Sequence, residues 1–215
     1  MTHSRNRSIP GPAVRRLTRY LEAVREYSES GSEWISSREI ADSLGLTSST
    51  VRQDLSYLDF SGISKRGYQV GPLREVIEYS LGADSDRNVI IVGAGNLGKA
   101  LALHGGFAGR KVNIRALFDK DSGKVGKKVG KLTVMDMRRL NSVVKNNNID
   151  IGIIAVPGAA AQSVADALVS SGVKGLLNLA SAHLTAPAGV AVEDVRIVAC
   201  LQALSYAVKE RAARK

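Results

Sequence analysis

The residues with the clearest chemical potential run from Val89 to Gly98. They read Val89-Ile-Ile-Val-Gly-Ala-Gly-Asn-Leu-Gly98, an apolar strand followed by Gly93-x-Gly95-x-x-Gly98 and the start of a helix. Each glycine has its own task in a phosphate cradle. Gly93 permits the tight turn, Gly95 lets the backbone approach a pyrophosphate, and Gly98 lets the helix pack closely on the strand. Ala94, Asn96 and Leu97 complete the loop. The helix start adds free N–H groups and the positive end of a dipole. A second strand ends at Phe118-Asp119, about twenty residues on. There Asp119 can accept hydrogen bonds from both hydroxyls of an adenine ribose. Its charge would repel a 2′-phosphate, so NAD is expected over NADP. Lys120, Lys124, Lys127, Lys128 and Lys131 follow. One of them could offset that charge, and most read as a solvated loop.

A second group of residues suits nucleic acid. Ser48, Ser49, Arg52 and Gln53 are polar and open a short helical segment. In a helix-turn-helix that end faces base edges, where arginine pairs with guanine and glutamine with adenine. Lys65, Arg66 and Tyr68 lie in a following wing, placed to enter a minor groove or hold phosphates. Residues 1–20 carry Arg5, Arg7, Arg15, Arg16 and Arg19 with no acid, a basic arm to which Arg15 belongs.

Catalytic and metal candidates are few. One cysteine, Cys200, rules out an intramolecular disulfide and any cysteine-cluster zinc site. It reads as a small buried apolar group. His3, His104 and His183 lie far apart in sequence, so no metal site is expected. His183 follows a strand, where a proton donor is possible, but no catalytic pair is evident. A nucleotide fold without catalytic residues, joined to a DNA-reading segment, points to a sensor and not an enzyme.

These groups need elements to hold them. Leu17, Tyr20, Leu21, Val24 and Tyr27 recur at helical spacing. Ser36-Ser-Arg-Glu39 fits a capping box ahead of Ile40, Ala41 and Leu44, and Gly45 ends that helix. Thr47 caps the next, with Val51, Leu55 and Leu58 as its apolar stripe. Gly62–Val70 reads as a short hairpin and Pro72–Leu81 as a linker helix. Beyond the polar segment Leu81–Arg87, strands and helices alternate. Strands are expected at Asn88–Val92, Val112–Phe118, Ile149–Val156 and Gly175–Leu179. Helices are expected from Asn96, at Asp136–Asn146 and at Gly158–Ser171. That alternation predicts a doubly wound parallel sheet. A last helix, Ala199–Arg211, has an apolar arc too wide for a surface helix, which suggests packing outside its own domain.

Composition agrees. With 215 residues, 44% of them apolar, the chain can bury a real core in one or two domains. Its net charge of +10 points toward an acidic partner. The charge is uneven, net +1 over residues 1–82 and net +9 over 83–215. No apolar run of about 18 residues exists, so no membrane span is expected. The arginine-rich start is no signal peptide. A cytoplasmic protein is expected.

Together the motifs resemble the Rex family of NADH-responsive transcriptional repressors. The likeness runs from about Pro12 to the last helix. It is most specific in Val51-Arg-Gln-Asp-Leu-Ser-Tyr57 and Gly93-Ala-Gly-Asn-Leu-Gly-Lys-Ala-Leu101. Phe118-Asp-Lys-Asp-Ser-Gly-Lys-Val-Gly126, Ile153-Ile-Ala-Val-Pro157 with Ala161-Gln162, and Gly175-Leu-Leu-Asn178 add to it. The resemblance implies an α/β chain of three parts. These are a winged-helix DNA-binding domain over residues 1–82, a Rossmann NAD(H)-binding domain over 83–198, and a C-terminal helix over 199–215 exchanged in a homodimer. It implies that a palindromic operator is held by the free or NAD⁺-bound dimer and released by NADH. It brings Lys124, Val156, Pro157 and His104 into the NAD site beside the glycine turn and Asp119. His104 stands where the family often has tyrosine, and Arg196 where aspartate is common, at positions that help tell oxidised from reduced nicotinamide. Gln53 replaces a usual lysine, and the wing has fewer glycines. Leu179 and Ser181 replace a usual phenylalanine and proline. The alternatives are an NAD(P)-dependent oxidoreductase, or a regulator of the same fold that answers to CoA or another nucleotide.

Overall fold

Two hydrophobic patterns fold into separate cores. The structure, a computed structural model, describes residues 8–213. It divides into two compact units between Ser85 and Asp86. Arg5 and Arg7 of the basic arm lie outside the described residues.

In the first unit the three- and four-residue spacing forms α1 (Gly11–Glu29), which buries Leu17, Tyr20, Leu21 and Val24. A short strand, β1 (Trp34–Ile35), leads to α2 (Ser37–Leu44). The capping box closes in both directions. Ser36 Oγ accepts from the Glu39 N–H at 3.1 Å, and Glu39 Oε2 accepts from the Ser36 N–H at 2.7 Å. Gly45, at φ 65°, ends the helix in the left-handed conformation that glycine adopts at little cost. Then α3 (Ser48–Leu55) starts at Thr47, whose Oγ1 accepts from the Thr50 N–H at 3.2 Å. Val51, Leu55 and Leu58 pack with Ile35, Ile40 and the apolar face of α1.

One buried carboxylate fastens α3 to α1. Asp54 is 2% exposed and accepts a forked pair of bonds from Arg16, at 2.6 and 2.8 Å. The Tyr20 hydroxyl donates a third, at 2.7 Å. Burial pushes the Asp54 carboxyl up, but the Arg16 and Tyr20 bonds outweigh it and hold Asp54 below the usual carboxylate range. Desolvation, then the bond to Asp54, pushes the Tyr20 hydroxyl up.

The hairpin expected over Gly62–Val70 is reduced to its tight turn. A single bridge joins Ile63 to Gly67. The strand that follows, β2 (Tyr68–Gln69), pairs antiparallel with β1, Trp34 opposite Gln69 and Ile35 opposite Tyr68. Close approach decides this. Gly67 sits at φ 95°, and a Cβ there would press on the Ile35 carbonyl. Then α4 (Val70–Ser80) buries Val70, Leu73 and Ile77.

The second unit is a seven-stranded sheet. Its strands are β3 (Arg87–Val92), β4 (Val112–Asp119), β5 (Lys128–Val129), β6 (Leu132–Asp136), β7 (Ile151–Ile154), β8 (Gly175–Asn178) and β9 (Ala191–Asp194). Their order across the sheet is β5-β6-β4-β3-β7-β8-β9. All neighbours run parallel except the β5–β6 pair. Strand order reverses beside β3, the switch point where open α/β sheets bind ligands. β3 is buried on both faces. Val89 and Ile91 meet Leu117, Val134 and Leu101, whereas Ile90 and Val92 meet Phe118, Val144 and Leu168. The covering helices are α5 (Asn96–Ala102), α6 (Leu140–Asn146) and α7 (Gly158–Ser170).

Four differences from the sequence reading appear here. The helix expected at Asp136–Asn146 starts only at Leu140. Asp136 ends β6, then accepts the Arg138 N–H at 2.8 Å and caps a 3₁₀ turn at Met137–Arg139. Part of the lysine-rich loop is the β5–β6 hairpin, turning at Gly130 with φ 57°. β9 went unread because it is four residues of mixed character. Finally α8 (Ile197–Ala213) carries no buried residue. Cys200 is exposed on it in the chain as described, so the buried-cysteine reading does not hold there.

Asp54→Asn tests the tie between α1 and α3. Removing one partner of a buried charge pair costs about 3–5 kcal/mol, and the partial exposure of Arg16 reduces this to about 2–4 kcal/mol. A denaturant melt checks it. Because the folded carboxyl is held low, its contribution is complete above the unfolded pKa of about 3.9 and is lost as pH falls through the folded value. The wild type should therefore lose more stability below about pH 4 than Asp54→Asn does.

Candidate functional site

The turn after β3 is shaped by what glycine lacks. Gly93 is buried at φ 111°, and a Cβ there would collide with the Ala155 carbonyl at the end of β7. A Cβ on Gly98 would collide with the Gly93 carbonyl. Gly95 differs, because its Cβ would meet nothing within 4 Å. Gly93 and Gly98 thus serve packing, while Gly95 faces open space. The N–H groups of Asn96 and Leu97 begin α5, where a helix offers no acceptors of its own.

Asp119 braces this turn from the end of β4. It is 7% exposed. Its Oδ2 accepts from the Ala94 N–H at 2.8 Å and from Lys124 Nζ at 3.1 Å, and its Oδ1 accepts from the Asp121 N–H at 2.9 Å. Burial pushes the carboxyl up, but the bonds from Asp121, Lys124 and Ala94 more than reverse this and hold it below the usual range. Lys124 also lies 3.8 Å from Asp121. One ammonium therefore faces two carboxylates.

A cavity of about 760 Å³ opens here, within the span of ordinary ligand pockets. Gly93, Gly95, Asp119, Lys124, Val156 and Pro157 line it. Ala94 is buried behind the turn, and Asn96, Leu97 and Gly98 are not among its lining residues. His104 is not brought to it either. It caps a 3₁₀ turn beyond the far end of α5, seven-residue α5 being about 10 Å long, and sets its ring edge-on against Phe107. Sequence reading missed the apolar wall of Met137, Ala159, Ala160 and Val164. The small residues after Pro157 were the available signal.

A second cavity of about 460 Å³ lies near the ends of β8 and β9 and includes Ser181, Arg196 and Gln202. Arg196 is not simply solvated. It donates to the Ala180 and Ala182 carbonyls at 3.1 and 2.7 Å and to Asp194 at 3.2 Å. Buried Asn178 donates to the same Asp194 oxygen at 2.6 Å. The 180–182 loop is therefore pinned to β9.

In the first unit a cleft of about 430 Å³ gathers Arg52, Lys65, Arg66 and Tyr68 with Ser36 and Ser37. Arg52 donates to Ser37 Oγ at 3.3 Å, so α2 and α3 jointly hold it. Ser49 and Gln53 are exposed and Ser48 is half-buried. Thr47 Oγ1 holds Ser49 Oγ at 2.9 Å. Lys65 stands at φ 64°, in a turn position that favours glycine. Tyr68 is half-buried, its ring tilted against Phe60, so only part of it faces the cleft. Arg15 is exposed on α1 and does not line the cleft. Trp34, Ser37 and Asp54 were not singled out in the sequence, because their partners lie 15 to 38 positions away.

Known proteins place this arrangement. The family model described as a CoA binding domain matches residues 84–182, and that of a DNA-binding protein N-terminus matches residues 8–56. The redox-sensing transcriptional repressor Rex of Clostridioides difficile is 38% identical over 205 residues, 95% of this chain and 98% of the relative. Rex of Thermosipho africanus is 38% identical over 94% of this chain and 97% of the relative. Rex of Streptomyces coelicolor is 41% identical over 97% of this chain and 81% of the relative. Among solved structures, RSP, a Rex-family repressor, matches with a TM-score of 0.87 and 34% identity, covering 96% of this chain and 97% of that one. RSP in complex with β-NAD⁺ and operator DNA matches with a TM-score of 0.89 and 36% identity, covering 96% of each chain. Identity at this level over nearly the whole length, with both motif-bearing units matched, makes this chain a member of the Rex family of redox-sensing transcriptional repressors.

Proposed function

We propose that this chain is a DNA-binding repressor that senses the NADH/NAD⁺ ratio. As a homodimer it holds a palindromic operator, and NADH releases it. The carrying observation is one chain that joins a glycine-turn cavity at a sheet switch point to a winged helix with exposed polar residues on α3. RSP, the solved relative, is described with β-NADH and with β-NAD⁺ and operator DNA.

In this reading Gly93–Gly98 cradle the pyrophosphate and Asp119 accepts from the adenine ribose. Val156, Pro157 and the apolar wall receive the adenine. The nicotinamide half extends toward His104 and the Arg196 cavity. Asp119, held below the usual carboxylate range and so charged, lines the ribose end and would repel a 2′-phosphate there, which favours NAD(H). No bond is made or broken. The ring charge differs between the two ligands, and a difference in affinity for two states suffices to shift them. Neither exposed His183 nor exposed Cys200 lines the cavity. Sensing is favoured over hydride-transfer chemistry because the similar chains are redox-sensing transcriptional repressors.

Ser48, Ser49, Arg52 and Gln53 would meet base edges, and Arg15, Lys65, Arg66 and Tyr68 the backbone or minor groove. The parts are residues 1–82 for DNA, 83–198 for the nucleotide and 199–215 for helix exchange between subunits. On α8, Ile197, Val198, Leu201, Leu204, Tyr206 and Val208 are each 58–66% exposed, the apolar cost a partner helix would remove. Among the described residues no helix is long and apolar enough to cross a membrane. We place the protein in the cytoplasm, with its operator.

Two measurements test this. An operator duplex is first selected by the protein from a random-sequence pool. At fixed salt, NADH should release that duplex at concentrations where NAD⁺ and NADPH do not. Equal effects of NADH and NAD⁺ would remove redox sensing. Second, Gly95→Val should fold like the wild type, since its side chain meets open space, yet lose more than about 100-fold in NADH affinity, about 2.7 kcal/mol. Gly98→Ala should instead lower the melting temperature. Unaltered NADH binding by Gly95→Val would mean the pyrophosphate does not cross that turn.

A further inference from the structure

We propose that Trp34 is a positioning residue for operator binding, its indole holding the Arg66 guanidinium of the wing ready for the DNA backbone. The inference rests on the winged-helix reading above. Trp34 is the chain's single tryptophan and lies half-buried on β1. The guanidinium carbon of Arg66 sits 4.0 Å from the centre of its ring. That contact follows from the backbone. The Ile63 carbonyl accepts from the Arg66 and Gly67 N–H groups at 3.0 and 2.9 Å, which closes the wing turn. Gly67 then approaches Ile35, and β2 pairs with β1. Arg66 thus leaves its turn directly beside the tryptophan.

The chemistry suits a phosphate-seeking arginine. Tryptophan offers the best ring face for a cation. A stacked guanidinium engages its face and keeps its five N–H donors in plane, free for phosphate oxygens. Among the described residues no carboxylate pairs with Arg66 and no side-chain hydrogen bond holds it, so the indole is its one restraint. Arg66 also lines the cleft that contains Arg52, so the restraint keeps its charge beside the reading helix. An exposed contact of this kind changes an equilibrium by about 2–5-fold. Two copies in a dimer give about 5–30-fold in operator affinity.

The test uses the full chain and the operator duplex selected by the wild type, fluorescently labelled, with anisotropy read at fixed salt. Trp34→Ala should bind about tenfold more weakly, and Trp34→Phe, which keeps a ring face, within about threefold of wild type. The double variant Trp34→Ala/Arg66→Ala should bind no more weakly than Arg66→Ala alone, since both changes remove one device. In the DNA-free protein, Arg66→Ala should shift the Trp34 emission, a readout that does not depend on Trp34→Ala folding. Wild-type affinity in a folded Trp34→Ala, losses that multiply in the double variant, or unchanged emission in Arg66→Ala would each overturn the proposal. Selection of no duplex by the wild type would overturn the DNA-binding reading itself, and this inference with it.

Discussion

The reversal of the chain at Gly93 is the constraint on which the nucleotide unit depends. Three strand ends converge there, and the backbone passes where no side chain fits. The Gly93 N–H donates to the Phe118 carbonyl at 2.8 Å, and the Ala155 N–H to the Val92 carbonyl at 2.8 Å. Gly98 lets α5 settle on the turn. Together these bonds and contacts bring the ends of β3, β4 and β7 to one cavity. A side chain at Gly93 or Gly98 would push the strands or the helix apart before any ligand arrived.

A buried carboxylate supports the recognition element in each unit. Asp119 is held by two backbone N–H groups and an ammonium, and it fixes the glycine turn. Asp54 is held by a guanidinium and a phenol, and it fixes α3. Both sites offset the cost of burying charge with complete hydrogen bonding. In each, a bond between residues far apart in sequence, Ala94 to Asp119 or Arg16 to Asp54, fixes the rigid part while the ligand-facing groups stay exposed. Gly95 is open, and Ser49, Arg52 and Gln53 point away from the core. Such an arrangement keeps the geometry of a site independent of its occupant.

What the sequence disclosed was local. The capping box at Ser36–Glu39, the Gly45 stop, the glycine turn and Asp119 at a strand end all express themselves within a few residues of their own position. The β1–β2 pairing was hidden, because two-residue strands carry no alternation and the partners lie more than thirty positions apart. The β5–β6 hairpin was hidden by its lysines. Asp54 looked like one more polar residue of a reading helix, since nothing nearby in sequence reveals Arg16 above it. His104 entered the expected site by analogy of position, and it does not line the cavity at the glycine turn. The apolar wall from α7 required the fold, since alanines and a valine signal packing of any kind.

The two units bear on one equilibrium only if the nucleotide distinguishes the DNA-holding state from the released one. Linkage then works in both directions, for any factor by which NADH weakens operator binding must also appear as a factor by which operator weakens NADH binding. The direct measurement is calorimetric titration of NADH into the dimer, alone and saturated with the selected operator duplex, at one salt concentration. The account requires a weaker NADH affinity in the presence of operator, by the same factor seen when NADH titrates the operator complex, with NAD⁺ affinity largely unchanged. An NADH affinity indifferent to operator would contradict it and leave two units that bind their ligands without coupling.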